Sequence, residues 1–324
     1  MSTAKDSLPL GAIVGGRYTL VRVLGTGAMG SVFEATRDDG AIVAVKVLLR
    51  FVTKDEGERR ARFEREAAVC EKLVHPNIVP VIDHGIDPTS ESPYLVMPRL
   101  LGEDLAALLK RTGPLDPDTA VALIVQACHG MEAAHAAGVV NRDIKPSNLF
   151  LEADGDHVRV RVSDFGLAKV HGQMDGLTPS GAFMGSAQYV SPEQATSAKH
   201  VDARSDVWSL AMALYHALAG APAFARAGSF LAYIVELRGR GTPSLQAAAP
   251  WVTGRLARAV HAALLKDPAH RFPSIVELRL ALDMAVGIDA SRRPVRRDGL
   301  VSASPEARAR ATPVAALPSH WEEV

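Results

Sequence analysis

Four stretches of the sequence have residue types suited to handling a phosphoryl group: Gly25 to Val32, Lys46, Asp143 to Asn148 and Asp164 to Gly166, in that order. The first, Leu24-Gly25-Thr26-Gly27-Ala28-Met29-Gly30-Ser31-Val32, has the spacing G-x-G-x-x-G-x-V. Glycines lack the β-carbon that would keep backbone amides away from phosphate oxygens. β-Forming residues flank the segment on both sides, Tyr18 to Leu24 before and Ser31 to Thr36 after. A dinucleotide-binding turn would lead into a helix instead, so the pattern predicts a glycine hairpin folded over a nucleotide. Alone, the same glycines more often mark an ordinary tight turn, and the remaining stretches decide between the two.

The elements that must position these residues are readable around them. Ala41 to Leu49 is an apolar, β-branched run with one charge, Lys46, in its middle, which predicts a buried strand carrying an ammonium that needs an anion. Nucleotide phosphates can supply it from one side and a carboxylate of the following helix from the other. The segment Glu58 to Leu73 predicts that helix, with Phe63, Ala67, Cys70 and Leu73 on one apolar stripe. Glu66 is the expected partner of Lys46, and Glu64 is the competing acid in the same turn. Val158 to Val162 alternates like one arm of a hairpin and delivers Asp164 at a strand end. Leu115-Asp116-Pro117 predicts the start of a long helix, capped by Asp116 and running toward Gly138.

The central segment is Val140-Asn141-Arg142-Asp143-Ile144-Lys145-Pro146-Ser147-Asn148-Leu149, followed by Asp164-Phe165-Gly166 and Ser191-Pro192-Glu193. With these motifs in this order the chain resembles the eukaryotic-type (Hanks-type) serine/threonine protein kinases, similar to soluble bacterial members, from about Tyr18 to about Ala285. The resemblance implies a two-lobed α+β fold, with a β-rich N-lobe carrying one regulatory helix and a mainly helical C-lobe. It also implies ATP and Mg2+, with Mn2+ as a possible substitute, and protein substrates with Ser or Thr acceptors. In such a reaction a protein chiefly aligns the acceptor hydroxyl and neutralises charge. Asp143 would take or orient the hydroxyl proton, Lys145 would face the transferring phosphate, and Asn148 and Asp164 would hold magnesium. Lys145 resembles the serine/threonine branch. Ser186 stands where that branch commonly has Thr.

Adenine is expected between Leu24, Val32 and Ala44 above and Phe150 below, with Met97 at the back. The hinge-like Tyr94 to Leu100 would supply the Leu100 amide as a donor, so Pro98, which has no N–H, is expected to be tolerated. The main departure is Asn141, where the family usually has a His whose ring packs beneath the Asp-Phe-Gly turn. A smaller polar residue would loosen the link between Cys70, Asn141 and Phe165, and it opens the alternative of a pseudokinase or nucleotide-binding docking scaffold. Retention of Lys46, Glu66, Asp143, Asn148 and Asp164 argues against that alternative. A small-molecule kinase is disfavoured by Ser191-Pro192-Glu193, which resembles a peptide-docking platform.

Arg142 before Asp143 resembles the subclass whose activation loop is ordered by phosphorylation, with Thr178 and Ser180 as candidate acceptors. Asp206 is expected to brace the catalytic loop, and Glu193 to pair with Arg271 as a buried ion pair. His75, His135 and Trp208 read as structural, neither His having companions at metal-ligand spacing.

Composition fits this picture. The 324 residues are 48% apolar, enough for two lobes around a cleft, and 36 basic against 36 acidic residues leave no net field to recruit nucleic acid. Two cysteines, Cys70 and Cys128, argue against a disulfide framework and for a reducing cytoplasm. Met1 to Gly16 lacks the layout of a secretion signal, and no apolar run is long enough for a membrane span. The expected organisation is an N-terminal extension over 1–16, a kinase-like domain over 17–285 (N-lobe about 17–98, C-lobe about 102–285) and a flexible Arg/Pro/Ala-rich tail over 286–324. Nothing in the pattern specifies an oligomeric state.

Overall fold

The computed structural model describes residues 8–27, 30–49, 56–165, 188–196, 201–239 and 241–303. Its N-terminal lobe is an antiparallel sheet in the order β1-β2-β3-β4-β6-β5. The strands are β1 Ile13–Val14, β2 Tyr18–Gly27, β3 Gly30–Arg37, β4 Ile42–Leu48, β5 Asp83–Ile86 and β6 Pro93–Pro98. Strand alternation sorts β4 into two faces. Val43, Val45 and Val47 join Phe33, Ala35, Tyr94 and Val96 in the outer core of the lobe. Ala44 and Lys46 face the opposite way, with Val32 paired to Lys46 and Met97 to Ala44 across the ladder.

Helix α1, Glu56–Glu71, buries Phe63, Ala67 and Cys70, and Leu73 is buried just past its end. Phe63 and Ala67 pack with Leu48 and Leu95 in a small cluster that holds α1 against the sheet. Completely burying the Phe63 ring contributes about 1.5–3 kcal/mol.

After the short helix α2, Leu105–Thr112, the C-terminal lobe is built around α3, Pro117–Ala136, and the helix Ala203–Ala219, both buried over most of their length. Asp116 caps α3 by accepting from the Thr119 amide, with Pro117 in the first turn. The second helix ends at Gly220, whose φ of +77° is the left-handed conformation that glycine adopts without penalty. Against α3 lies a second antiparallel sheet, ordered β10-β9-β8-β7, from β7 Gly102–Asp104, β8 Leu149–Asp154, β9 His157–Val162 and β10 Val295–Arg296. The expected alternation of Val158 to Val162 is present, with Val158, Val160 and Val162 buried.

Both chain ends depart from the sequence reading where they are described. Val14 is buried and pairs with Tyr18, so the end of the 1–16 segment is a strand of the N-lobe sheet. The tail expectation needs a larger correction, because residues 287–303 pack onto the C-lobe. Val295 and Arg296 pair with Val158 and His157, and the Ala303 amide donates to the Pro114 carbonyl at 2.7 Å. Val295, Leu300 and Ala303 are buried. The arginines suggested a solvated tail, yet two of them meet acidic partners: Arg292 lies 3.3 Å from Asp283, and Arg293 lies 3.4 Å from Asp116. Charge density is a guide to disorder only when no folded surface neutralises it. The helical core continues to Val286 and the packed chain to residue 303. Residues 304–324 lie outside the described part.

Candidate active site

A cleft of about 680 Å3 separates the lobes and gathers most of the residues singled out in the sequence. Leu24, Gly25, Thr26, Gly27, Gly30, Val32, Ala44, Lys46, Met97, Leu100, Asp143, Lys145, Asn148, Phe150 and Asp164 all line it. Ser31 and Glu66 are not among its lining residues. Ala28 and Met29 lie outside the described residues, as do Gly166, Thr178, Ser180 and Ser186.

The roof is the β2–β3 hairpin. Gly27 pairs with Gly30 at its turn. Gly30 has φ +140°, and a β-carbon there would fall 2.0 Å from the Val47 carbonyl oxygen, so only glycine lets β3 start this close to β4. At Gly25 a β-carbon would meet nothing within 4 Å, because that position borders the cleft. The hairpin therefore leaves room under its backbone where phosphates would lie.

Lys46 is buried, and its Nζ donates to Asp164 Oδ1 at 2.6 Å. This corrects the expected Lys46–Glu66 pair. Glu66 Oε1 instead accepts from Arg62 Nε at 3.2 Å, one turn back on the same helix. A partner at i−4 is delivered by helix geometry itself, whereas reaching Lys46 requires α1 to be set against β4. Glu66 Oε2 is buried without a hydrogen-bond partner. Burial accordingly pushes the Glu66 carboxyl above its ordinary range, against the pull of Arg62. At Asp164 burial acts in the same direction, but Lys46 prevails and holds the carboxyl below the usual carboxylate range. Burial also raises the Cys70 thiol to about 11, helped by the charges of Glu66 and Asp164.

The floor is the loop between α3 and β8. Its anchor is Asp206, fully buried, which accepts from the Asn141 amide at 2.9 Å and the Arg142 amide at 2.8 Å, with His135 Nε2 at 2.8 Å. Arg142 has φ +67° and Asp164 φ +60°, both costly for residues with side chains, about 1–3 kcal/mol each. Surrounding bonds hold these conformations, including Gln194 Nε2 to the Arg142 carbonyl at 2.8 Å and Arg142 to the Val201 carbonyl at 3.1 Å. Asp143 Oδ2 accepts from Lys145 Nζ at 2.7 Å and from Asn148 Nδ2 at 3.1 Å. Asn148 Nδ2 also donates to the Asp143 carbonyl at 2.8 Å. Behind this loop, Arg271 grips Glu193 with two bonds of 2.8 Å, its guanidinium stacked 4.9 Å over the Trp208 ring.

The expected weakening at Asn141 is not what the contacts describe. The side chain is fully buried and makes two hydrogen bonds, Nδ2 to the Ser163 carbonyl at 3.2 Å and Oδ1 from the Asp143 amide at 3.1 Å. Cys70 Sγ meets the Phe165 carbonyl at 3.6 Å, so Cys70 and Phe165 remain in contact.

Some cleft residues escaped the sequence reading. Val79 lines the cleft from the loop after α1, and Glu103 and Asp104 border it from β7. Gln194 reaches it from the short helix Pro192–Thr196. None belongs to a motif; beside them the structure requires glycine at Gly102, where with φ +146° a β-carbon would strike the Leu151 carbonyl oxygen at 2.0 Å as the chain crosses from hinge to floor.

The donor set suits magnesium. Asn148 and Asp164 border the same cleft, and the two Asn148 bonds use its nitrogen, leaving the carbonyl oxygen for a hard cation. One carboxylate and one amide oxygen are few ligands, which is how magnesium binds when substrate phosphates complete its shell. Among the described residues no group of three or more His, Cys, Asp or Glu forms an alternative metal site. Nor, among them, is any helix long and apolar enough to cross a membrane.

The family model for the protein kinase domain matches residues 18–251. A probable serine/threonine-protein kinase of Corynebacterium efficiens is 36% identical over 281 residues, covering 84% of this chain and 42% of that protein. The serine/threonine-protein kinase PknA of Mycobacterium tuberculosis is 36% identical over 291 residues, 89% of this chain and 64% of PknA. The chain thus spans less than two thirds of the length of these relatives. The crystal structure of the M. tuberculosis PknI kinase domain superposes with a TM-score of 0.68 at 30% identity, covering 87% of this chain and all of that one. Motifs, two-lobed fold and relatives agree, and the chain belongs to the protein kinase family, with the bacterial serine/threonine-protein kinases that its motifs resemble.

Proposed function

We propose that this chain transfers the γ-phosphoryl group of ATP to Ser and Thr hydroxyls of proteins, and that residues 17–303 form its catalytic unit. The observation that carries the reading is the meeting of Lys46, Asp143, Lys145, Asn148 and Asp164 in one cleft beneath a glycine hairpin. The bond from the γ-phosphorus to ADP breaks, a bond to the acceptor oxygen forms, and the hydroxyl proton passes to the Asp143 carboxylate. Lys145, 2.7 Å from that carboxylate, lies where it neutralises charge on the moving group. Asn148 and Asp164 would hold Mg2+, which when bound would supply charge neutralisation at the phosphates. Lys46 orients the phosphates. Glu66 becomes its second partner when α1 approaches β4, a role supported by the orphaned Oε2. Adenine stacks between Leu24, Val32 and Ala44 above and Phe150 below, with Met97 at the back and the Leu100 amide as donor.

Autophosphorylation at Thr178 or Ser180 belongs to the same reading, because the half-buried Arg142 guanidinium suits a phosphate. Two free, buried thiols suit the cytoplasm. Radiolabelled ATP offered with Mg2+ and a generic basic protein tests the proposal: wild type labels the protein and D143N does not. Equal labelling by both would refute transfer through Asp143.

A further inference from the structure

We infer that Asn141 is a positioning residue that locks the catalytic carboxylate and the metal-binding carboxylate into one rigid unit, through a side-chain amide that accepts on one side and donates on the other. The inference rests on the kinase reading and extends it to a residue that touches neither phosphate nor metal. Asn141 presents Oδ1 to the amide of Asp143 and Nδ2 to the carbonyl of Ser163, at 3.1 Å and 3.2 Å. One partner is an N–H and the other a C=O, so the bridging group must accept on one side and donate on the other. A carboxamide does both on one short, two-torsion arm. An aspartate would set a carboxylate oxygen against the Ser163 carbonyl, and an apolar residue would strand both backbone groups in a fully buried site.

The two bonds land where the backbone needs holding. Asp143 follows Arg142, and Ser163 precedes Asp164; both Arg142 and Asp164 have positive φ. The Asn141 amide is itself fastened to Asp206. Ser163 is tied a second time, its amide donating to the Asn148 carbonyl at 3.0 Å. A closed circuit results: Asp206 fixes Asn141, Asn141 fixes Asp143 and Ser163, Ser163 binds Asn148, and Asn148 returns to Asp143. Three of the groups assigned to chemistry, Asp143, Asn148 and Asp164, are in it or next to it, and Asn141, with the Ser163–Asn148 bond, spans from the catalytic loop to the strand end bearing Asp164. The family's usual His at this place is therefore exchanged for a different bridge, and loss of activity need not follow.

The test compares wild type, N141A, N141D and L282A, the last removing a buried leucine from the helix Ile275–Val286, away from the cleft. Steady-state kinetics with ATP and a basic protein, thermal unfolding, and Mn2+ binding with ADP followed by electron paramagnetic resonance are measured on each. The expected result is a fall of about 10–100-fold in kcat for N141A, with the KM for ATP within threefold and Mn2+ binding weakened by about 10-fold or more, the range typical of residues that orient metal ligands. L282A should unfold earlier yet keep its kcat and Mn2+ affinity at 15 °C. N141D retains the acceptor for Asp143 but lacks the donor for Ser163, so its Mn2+ affinity should fall like that of N141A; it carries the test if N141A does not fold. Wild-type kcat and Mn2+ affinity in a folded N141A or N141D overturns the inference, as does a loss that only tracks unfolding, as in L282A. A wild-type chain as inactive as D143N overturns the kinase reading itself and is thereby told apart.

Discussion

On the floor of the cleft Asp206 is fully buried and meets two backbone amides and a histidine, while on the roof Glu66 keeps one buried oxygen without a partner. Glu193, deeper in the same lobe as Asp206, is likewise satisfied by the Arg271 fork and by Ser205 Oγ at 2.6 Å. Burial costs a carboxylate the same in both lobes, so the difference lies in what is brought to it. The floor supplies donors from its own tightly connected loops. The roof needs one from another element, α1 to β4, and here α1 answers with its own Arg62. A saturated floor and an unsaturated roof make a cleft whose catalytic carboxylate is fixed while the grip on phosphate depends on the placement of one helix.

The comparison breaks most visibly at Asp143. If the floor carries the chemistry, D143N should lower kcat by about 10²–10⁴-fold in the radiolabel assay while nucleotide binding, followed by calorimetry, stays within a few-fold. Next comes the structural side of the floor. Glu193→Ala strands the buried Arg271 charge and should cost about 3–5 kcal/mol in urea unfolding, as expected when one partner of a buried pair is removed. An effect below 1 kcal/mol would mean that the fork is solvated. Leu300→Ala tests whether the packed C-terminal segment belongs to this rigid floor, with about 2 kcal/mol expected; no change would return the segment to the status of a tail.

The smallest effect sharpens the contrast through pH. Glu193 is buried, yet Arg271 holds it below the usual carboxylate range, so its stabilisation is present above about pH 4.3, the unfolded value, and is lost as pH falls through the lower folded value. Glu66 has the opposite sign. Its folded value is raised by burial, so its contribution is full below about pH 4.3 and is lost as pH rises through the folded value. E66Q removes that loss. Its stability relative to wild type should therefore grow between pH 4 and pH 8, and a constant difference would show that Glu66 is solvated.

Much of the floor was legible because its residues are local in sequence. Asp143, Lys145 and Asn148 fall within six positions, and a short loop leaves them few ways to lie apart. Asp116 as cap and the alternation of β9 were readable for the same reason: each acts within a turn or a strand. The roof was legible only in part. The faces of β4 followed from alternation, but the partner of Lys46 did not, since an i−4 neighbour competed with a distant one and only packing chose. The C-terminal arginines misled because composition describes a segment in water and says nothing of a waiting surface. Asn141 misled in the other direction, since its effect depends on the N–H of Asp143 and the C=O of Ser163, groups that only the fold brings to one side chain.

By itself the sequence determined the glycine hairpin and most of the side chains that border the cleft, through motif, spacing and periodicity, and its resemblance to a known family pointed to the two lobes. Tertiary structure alone decided that Lys46 meets Asp164, that Glu66 is left with an orphaned oxygen, that Asn141 bridges two strained turns and that residues 287–303 pack as part of the C-lobe. Each of those outcomes is a choice among competing partners, and such a choice is made by distance in three dimensions, which a linear order of residues does not specify.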